Sequence, residues 1–423
     1  MAKVTRRIFL TSTATALAAR SLERSSAQRL TDPSSSGKSS AKSPAPVDSV
    51  RFQGRRGVHT ERVLRSPPRD FQEFFSRERL SFVRATGLDT IRLSTSSAAL
   101  TEGIDRNFDL LLGGVEALVA ARFHVIVVVF PEPIDGFVDG PDGPQFSRLV
   151  QAEVRLARMI NDRFSSADVA LEVCNELPDR KTFAGKVPWP KQAPKLCRAI
   201  RAVAPELTLL VSGINWGELD QMLELRPSDF DANIGFVFHW YEPRVFALQG
   251  IPISANSPFE FVQRLPWPPQ RGDYTAAVAE AVARIEASDQ TPQKNPWSWD
   301  KEGFGSYYRR NLKTYFSTPE DGNHFDSRFS QVTRWCDQYD VMRGRIFVTE
   351  FGAYGDVPAP FNFVAAANTD RARWAQGCRE RFEAAGFRWV WHNLDEHGFG
   401  MMDRETSKFD AELLAGLGLV MPG

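Results

Sequence analysis

The 423-residue chain reads as a single (β/α)8 TIM barrel. Three observations carry that expectation. From about residue 50 onward, short β-branched apolar runs alternate with amphipathic stretches, a pattern that implies a parallel sheet with helical crossovers. Eight such runs are present, enough to close the sheet on itself. No glycine-rich turn follows the first run, as an open nucleotide-binding sheet would require.

In order along the chain, Val50–Val58 is the first predicted strand and Thr90–Leu93 the second. Phe108–Phe123 places Leu, Val and Ala three and four residues apart, the spacing of a helix with one apolar face. His124–Phe130 (HVIVVVF) is almost wholly apolar, as a strand covered on both faces must be. A helix over Ser147–Phe164 leads to a strand over Val169–Cys174. Helix Lys191–Val203 leads to strand Leu207–Ser212, and strand Ile234–His239 follows. Helix Ser327–Val341 precedes strand Ile346–Glu350, and helix Ala372–Ala385 feeds strand Phe387–Trp391. The stretch from Pro243 to about Phe325 is too long for an ordinary strand-to-helix connection. It is rich in Pro and holds Trp267, Trp297 and Trp299. It reads as a long loop over the carboxyl ends of the strands, its Trp residues offering flat surfaces for stacking, and not as a separate domain.

Lys+Arg and Asp+Glu both total 52, so no long-range field draws nucleic acid or anionic lipid. Thr5-Arg6-Arg7-Ile8-Phe9-Leu10, followed by a short, mildly apolar stretch, reads as a twin-arginine export signal over residues 1–30. Ala16-Leu17-Ala18 and Ser25-Ser26-Ala27 both suit cleavage. The Ser/Pro/Lys-rich residues 31–47 read as a disordered linker, leaving 48–423 for the barrel. The expected destination is periplasmic or secreted, with no permanent membrane span. Cys174, Cys197, Cys336 and Cys378 lack zinc-site spacing and read as buried free thiols, with a Cys336–Cys378 pair as the alternative. No cofactor or resident metal is expected, and a monomer is the default state.

A parallel barrel presents its chemistry at the carboxyl ends of its strands. Those ends carry Arg92, Phe130-Pro131-Glu132, Asn175-Glu176, Ser212, His239-Trp240-Tyr241, Glu350 and Trp391. Ordinary packing would use Val or Leu at such positions. Two carboxylates far apart in sequence, Glu176 and Glu350, suit acid/base cleavage of a glycosidic bond. A guanidinium beside Glu350 but not beside Glu176 would keep the first ionised and let the second hold a proton.

At this point the chain resembles family 5 of the glycoside hydrolases, barrel enzymes that include endoglucanases and mannanases. The marks are Arg92 on the second strand, Asn175-Glu176 on the fourth, His239-x-Tyr241 on the sixth, Glu350 on the seventh and Trp391 on the eighth. The resemblance implies that Glu176 is the general acid/base and Glu350 the nucleophile of a retaining hydrolase. It implies that Asn175 binds the sugar 2-hydroxyl, that Arg92 and Tyr241 bond Glu350, that His239 lies near Glu176, and that Trp391 floors the sugar ring. The third strand departs from the family by ending in Phe130 where many members have His, so Glu132 becomes a stand-in for lost hydroxyl contacts. His59, Thr60, Trp216, Glu218, Asn393 and Asp395 are further cleft candidates. The cluster His392-Asn393-Leu394-Asp395-Glu396-His397 has metal-ligand residue types but no helix-fixed spacing, so sugar contacts are the preferred reading. The expected substrate is a β-linked polysaccharide or oligosaccharide, cleaved in endoglucanase fashion. A mannanase or an exo-glucanase, and a glycan-binding barrel without catalysis, are the alternatives. No Ser-centred hydrolase motif is evident.

Overall fold

The computed structural model describes residues 50–61, 73–102, 104–131, 143–177, 189–253, 257–318 and 323–423. The expected signal, the linker and Glu132 lie outside the described residues. Strands β1 (Arg56–Thr60), β2 (Thr90–Ser96), β3 (His124–Phe130), β4 (Val169–Val173), β5 (Thr208–Ser212), β6 (Ile234–Trp240), β7 (Ile346–Phe351) and β8 (Arg388–Trp391) close into a parallel barrel in chain order. Around it, among the described residues, run α1 (Arg77–Ala85), α2 (Ser97–Glu102), α3 (Ile104–Ala120), α4 (Pro144–Arg163), α5 (Trp189–Arg201) and the short α6 (Leu219–Met222). The remainder are α7 (Arg244–Ala247), α8 (Tyr274–Ala287), α9 (Lys301–Phe316), α10 (Asn323–Tyr339), α11 (Asn368–Ala384) and α12 (Ala411–Gly416). No helix among the described residues is long and apolar enough to cross a membrane. The four cysteines are buried and free, Cys336 and Cys378 included.

Side chains alternate between the two faces of a strand, so each strand here serves two cores. The outward set packs under the helices; the inward set, with Ile126, Ala170, Leu210, Val237, Phe347 and Val390, forms a separate apolar plug. Val50 and Phe52 belong to that plug, which corrects the expected first strand. Those residues are apolar because they seal the floor of the barrel, where the Phe52 N–H donates to Thr208 Oγ1 at 3.1 Å; the strand itself starts six residues later than expected, at Arg56.

Two residues above the plug, alternation sends Glu172, His239, Thr349 and His392 into the barrel. The seventh strand then breaks step. Phe238 faces Val348, but His239 faces Glu350, so one extra residue is accommodated between them. The partner strand shows the same slip, with Val348 beside Trp389 and Phe351 beside Trp391. A bulge of this kind re-aims the side chains beyond it. Both Thr349 and Glu350 therefore bond to groups within the barrel mouth.

The stretch 243–325 is not a bare loop. It holds α8 and α9, each capped by an aspartate: Asp273 accepts from Ala276 N and Asp300 from Gly303 N, both at 2.7 Å. Its tryptophans serve packing and do not form an open platform. Trp267 stacks on Phe325 with ring centroids 5.1 Å apart, and Trp299 packs on Trp297, Phe304 and Tyr307.

Gly235 on β6 shows how tightly the plug is filled. A Cβ there would sit 2.6 Å from both Leu210 and Phe347. Gly235→Ala is expected to destabilise the barrel by about 1–3 kcal/mol, the range for overpacked cores, measurable as a lowered midpoint in denaturant.

Candidate active site

The guanidinium of Arg92, fully buried inside the barrel, is the centre of the site. Its Nε and Nη2 donate to the two oxygens of Glu172 at 2.7 and 2.9 Å. Its Nη1 donates to Glu350 Oε1 at 2.6 Å and to His59 Nδ1 at 2.8 Å, and Nη2 also donates to Asn175 Oδ1. The donor set of an arginine is thereby fully committed. Because Arg92 can only donate, His59 accepts on Nδ1 and is neutral, with its proton on Nε2. Burial and the Arg92 charge hold that imidazole well below its ordinary pKa.

Glu350 is completely buried and doubly bonded, taking Arg92 on Oε1 and the Tyr241 hydroxyl on Oε2 at 2.9 Å. Burial alone would favour its protonated form. The charges of His239 and Arg92 outweigh that penalty and hold the carboxyl far below the usual range. Tyr241 stays a phenol O–H donor, because burial and the adjacent Glu350 push its pKa well up.

Glu176 stands in the opposite condition. It lies beyond the end of β4 in a turn where Cys174 and Glu176 both take positive φ, 57° and 45°. Arg92 does not bond it; its Oε1 meets His239 Nδ1 at 3.0 Å. Burial, and then the negative charge of Glu350, raise this carboxyl to about 7. Burial would lower His239, but Glu350, Glu172 and Glu176 surround the ring and bring it up to about 10. The imidazolium thus donates to Glu176. One oxygen of Glu176, one of Glu350 and a ring nitrogen of His239 lie within 4.8 Å of one another. Two carboxyls with opposite proton occupancy face each other across a narrow gap. That arrangement can donate a proton from one side and offer a nucleophilic oxygen from the other.

The sequence profile of the cellulase family, glycosyl hydrolase family 5, matches residues 66–398. The chain belongs to glycoside hydrolase family 5. It is a glycosidase, and solved structures share its fold. Subunit Z of the clostridial cellulose synthase from Clostridioides difficile is 20% identical with a TM-score of 0.60, over 86% of this chain and 99% of that one. A hyperthermophilic endo-β-1,4-glucanase in complex with substrate is also 20% identical at a TM-score of 0.60, over 88% and 98% of the two chains. Cel5A of Thermotoga maritima, in complex with mannotriose, is 15% identical at 0.61, over 88% and 99%. A comparison with curated proteins gives no match.

Within this family 5 barrel, the expected residues Arg92, Asn175, Glu176, His239, Tyr241 and Glu350 come together with His59. Asn175 is buried, and its Nδ2 has no partner among the described residues, leaving a donor for an incoming hydroxyl. Trp391 is not where the resemblance puts it. Alternation on β8 sends Val390 inward and Trp391 outward, against Phe351 and Trp374, with the Arg371 guanidinium over its ring and its indole N–H donating to Phe399 O at 3.0 Å. The next residue, His392, faces the site instead, its Nδ1 3.8 Å from Glu350 and its ring 5.1 Å from that of His59.

Asn393 and Asp395 are likewise engaged elsewhere. Asn393 caps its own turn, donating to Glu396 Oε2 and accepting from Glu396 N, both at 2.8 Å. Asp395 pairs with Arg79 at 3.1 Å. Glu218 pairs with Arg244. Trp216, mostly buried, donates its backbone N–H to Leu177 O at 3.1 Å and so braces the Glu176 turn. Thr60 is buried beside the site on β1, its carbonyl taking the Ser94 hydroxyl at 3.3 Å. Sequence reasoning does not single out Glu172 or Thr349, and it reads His392 only as part of the loop cluster 392–397. The first two are linked at 2.9 Å, Thr349 hydroxyl to Glu172. A charged residue inside the apolar run Leu171-Glu172-Val173 was the available signal.

Two triads, His59–Glu350–His392 and Glu176–His239–Glu350, have ligand atoms close enough for a cation. Arg92 already holds Glu350 Oε1 and His59 Nδ1, and protonated His239 has no lone pair to offer, so these donors suit hydrogen bonding better than a metal.

Arg92→Met is expected to strand two buried carboxylates and to cost roughly 3–5 kcal/mol of stability, read by urea unfolding. Trp391→Phe should lose one indole hydrogen bond, about 1 kcal/mol of stability. Its kcat/KM should stay at the wild-type value; a raised KM would place the ring in the cleft after all.

Proposed function

We propose that the protein is a retaining β-glycosidase of endoglucanase type, hydrolysing a β-1,4-linked glucan by double displacement. One observation carries the reading: an oxygen of Glu176 and an oxygen of Glu350 lie within 4.8 Å, and the two groups are biased to opposite protonation states. Carboxyl groups about 5–5.5 Å apart serve the retaining reaction, while inverting enzymes need a wider gap to seat water between carboxylate and sugar.

Glu350, kept anionic by His239 and Arg92, attacks the anomeric carbon. Glu176 delivers its proton to the departing glycosidic oxygen. The C–O bond to the leaving sugar breaks, and a glycosyl ester on Glu350 forms. Glu176, now ionised, takes a proton from water, which opens the ester and restores the β-anomer. Tyr241 and Arg92 release and regain their bonds to Glu350 as its charge is consumed and returned. The choice of a β-1,4-glucan follows the substrate class named for the endo-β-1,4-glucanase of the same fold. The amino-terminal twin-arginine pattern supports action outside the cytoplasm.

Glu350→Ala is expected to lose essentially all turnover of an aryl β-cellobioside and to regain part of it with azide, giving the α-glycosyl azide. Rescue at Glu176 with inversion, and none at Glu350, would exchange the two roles. The kcat/KM profile should fall above pH about 7 as Glu176 loses its proton. An alkaline limb that does not move in Glu176→Gln would assign that titration elsewhere.

A further inference from the structure

Helix α4 carries a buried acid that the reaction does not use. Glu153 is completely buried where α4 packs against the outside of β4. Its neighbours on that stripe of the helix, at three- and four-residue spacing, are Leu149, Leu156, Ala157 and Ile160, all buried in the shell core. Leucine at 153 would complete the pattern. An isolated carboxyl there carries a desolvation cost, so it needs a local reason.

The reason lies two residues before Glu176. Glu153 Oε1 accepts the backbone N–H of Cys174 at 3.0 Å and its thiol at 3.4 Å. Cys174 is the first residue past β4 and has left the extended conformation, with φ 57°. The turn beyond it is tied at two other points: Asn175 N–H donates to Val129 O at 3.0 Å, and Leu177 O accepts from Trp216 at 3.1 Å. Without Glu153, the Cys174 N–H would face an apolar helix surface with no acceptor. Burial pushes the Glu153 carboxyl up to about 8, so at neutral pH it is a neutral acid whose carbonyl oxygen receives the N–H.

We propose that Glu153 is a positioning residue that fixes the aim of Glu176 by anchoring the Cys174 N–H from outside the barrel. The proposal rests on Glu176 being the acid, as argued above. A poorly aimed acid matters most when the leaving group needs its proton, and least when the leaving group departs unaided.

The experiment compares kcat/KM on phenyl β-cellobioside, a poor leaving group, and on 2,4-dinitrophenyl β-cellobioside, an activated one. Glu153→Leu is expected to lose about tenfold on the first substrate, in line with the cost of small misplacements, and almost nothing on the second. Glu153→Gln, which keeps the acceptor oxygen, should match the wild type on both. Glu153→Met repeats the test should Leu pack badly. Equal losses on both substrates, no loss on either, or a Gln variant as slow as Leu would overturn the proposal. Glu176→Gln is run alongside. If that variant shows no leaving-group dependence, the acid assignment itself fails; if it does and Glu153→Leu does not, only the positioning role fails.

Discussion

The contact between Arg92 and Glu350 makes the two carboxyls of this site unequal. A guanidinium buried in a barrel is costly unless its charge and donors are matched. Here Glu172 and Glu350 supply the charge, and His59 and Asn175 complete the acceptors. Glu172 takes both ends of the fork and is itself held below the usual carboxylate range; against burial, the Arg92 charge decides the direction. The bidentate grip fixes the plane of the guanidinium, and that plane aims Nη1 at Glu350. Lysine, a single point charge with three donors, could not satisfy that acceptor set.

The electrostatic division follows from geometry more than from charge count. Glu176 and Glu350 share His239 as a neighbour at 3.0 and 3.6 Å, so the imidazolium favours ionisation of both. Of these two carboxyls Arg92 bonds Glu350 alone, and Glu350, once ionised, disfavours a second negative charge at Glu176. The bulge on β7 is what permits this: strict alternation from inward Phe347 would turn Glu350 toward the helices. A backbone irregularity and a buried cation together set the chemistry.

Much of this was legible in the sequence, and the gaps have physical causes. The run HVIVVVF gives β3 at its observed bounds, because a strand buried on both faces has no other reason for such composition. The eight-fold alternation gives the closed barrel. Residues whose role depends on strand ends, such as Glu176, Tyr241 and Glu350, were readable because carboxyl-terminal ends are where a barrel places chemistry. The face of Trp391 depends on a register count from Val390, which a motif match ignores, so the motif points the ring at the sugar while the strand turns it outward. Glu172 carries no strand-end signal, because it sits inside β4 and not beyond it. Helix α8 was readable from its Asp273 cap and Ala-rich run, but flanking prolines and tryptophans suggested loop. The bulge on β7 left no sequence mark.

The direct test of the Arg92-centred account is to follow each carboxyl as it titrates. Protein labelled with carbon-13 at the Glu side-chain carboxyls, compared with Glu176→Gln and Glu350→Gln for assignment, reports both resonances across pH. The account predicts that Glu176 titrates at pH about 7, that Glu350 stays ionised down through the acid range, and that Glu176 titrates lower once residue 350 is neutral. Both carboxyls titrating together near the ordinary glutamate value, or Glu350 protonating before Glu176, would contradict it.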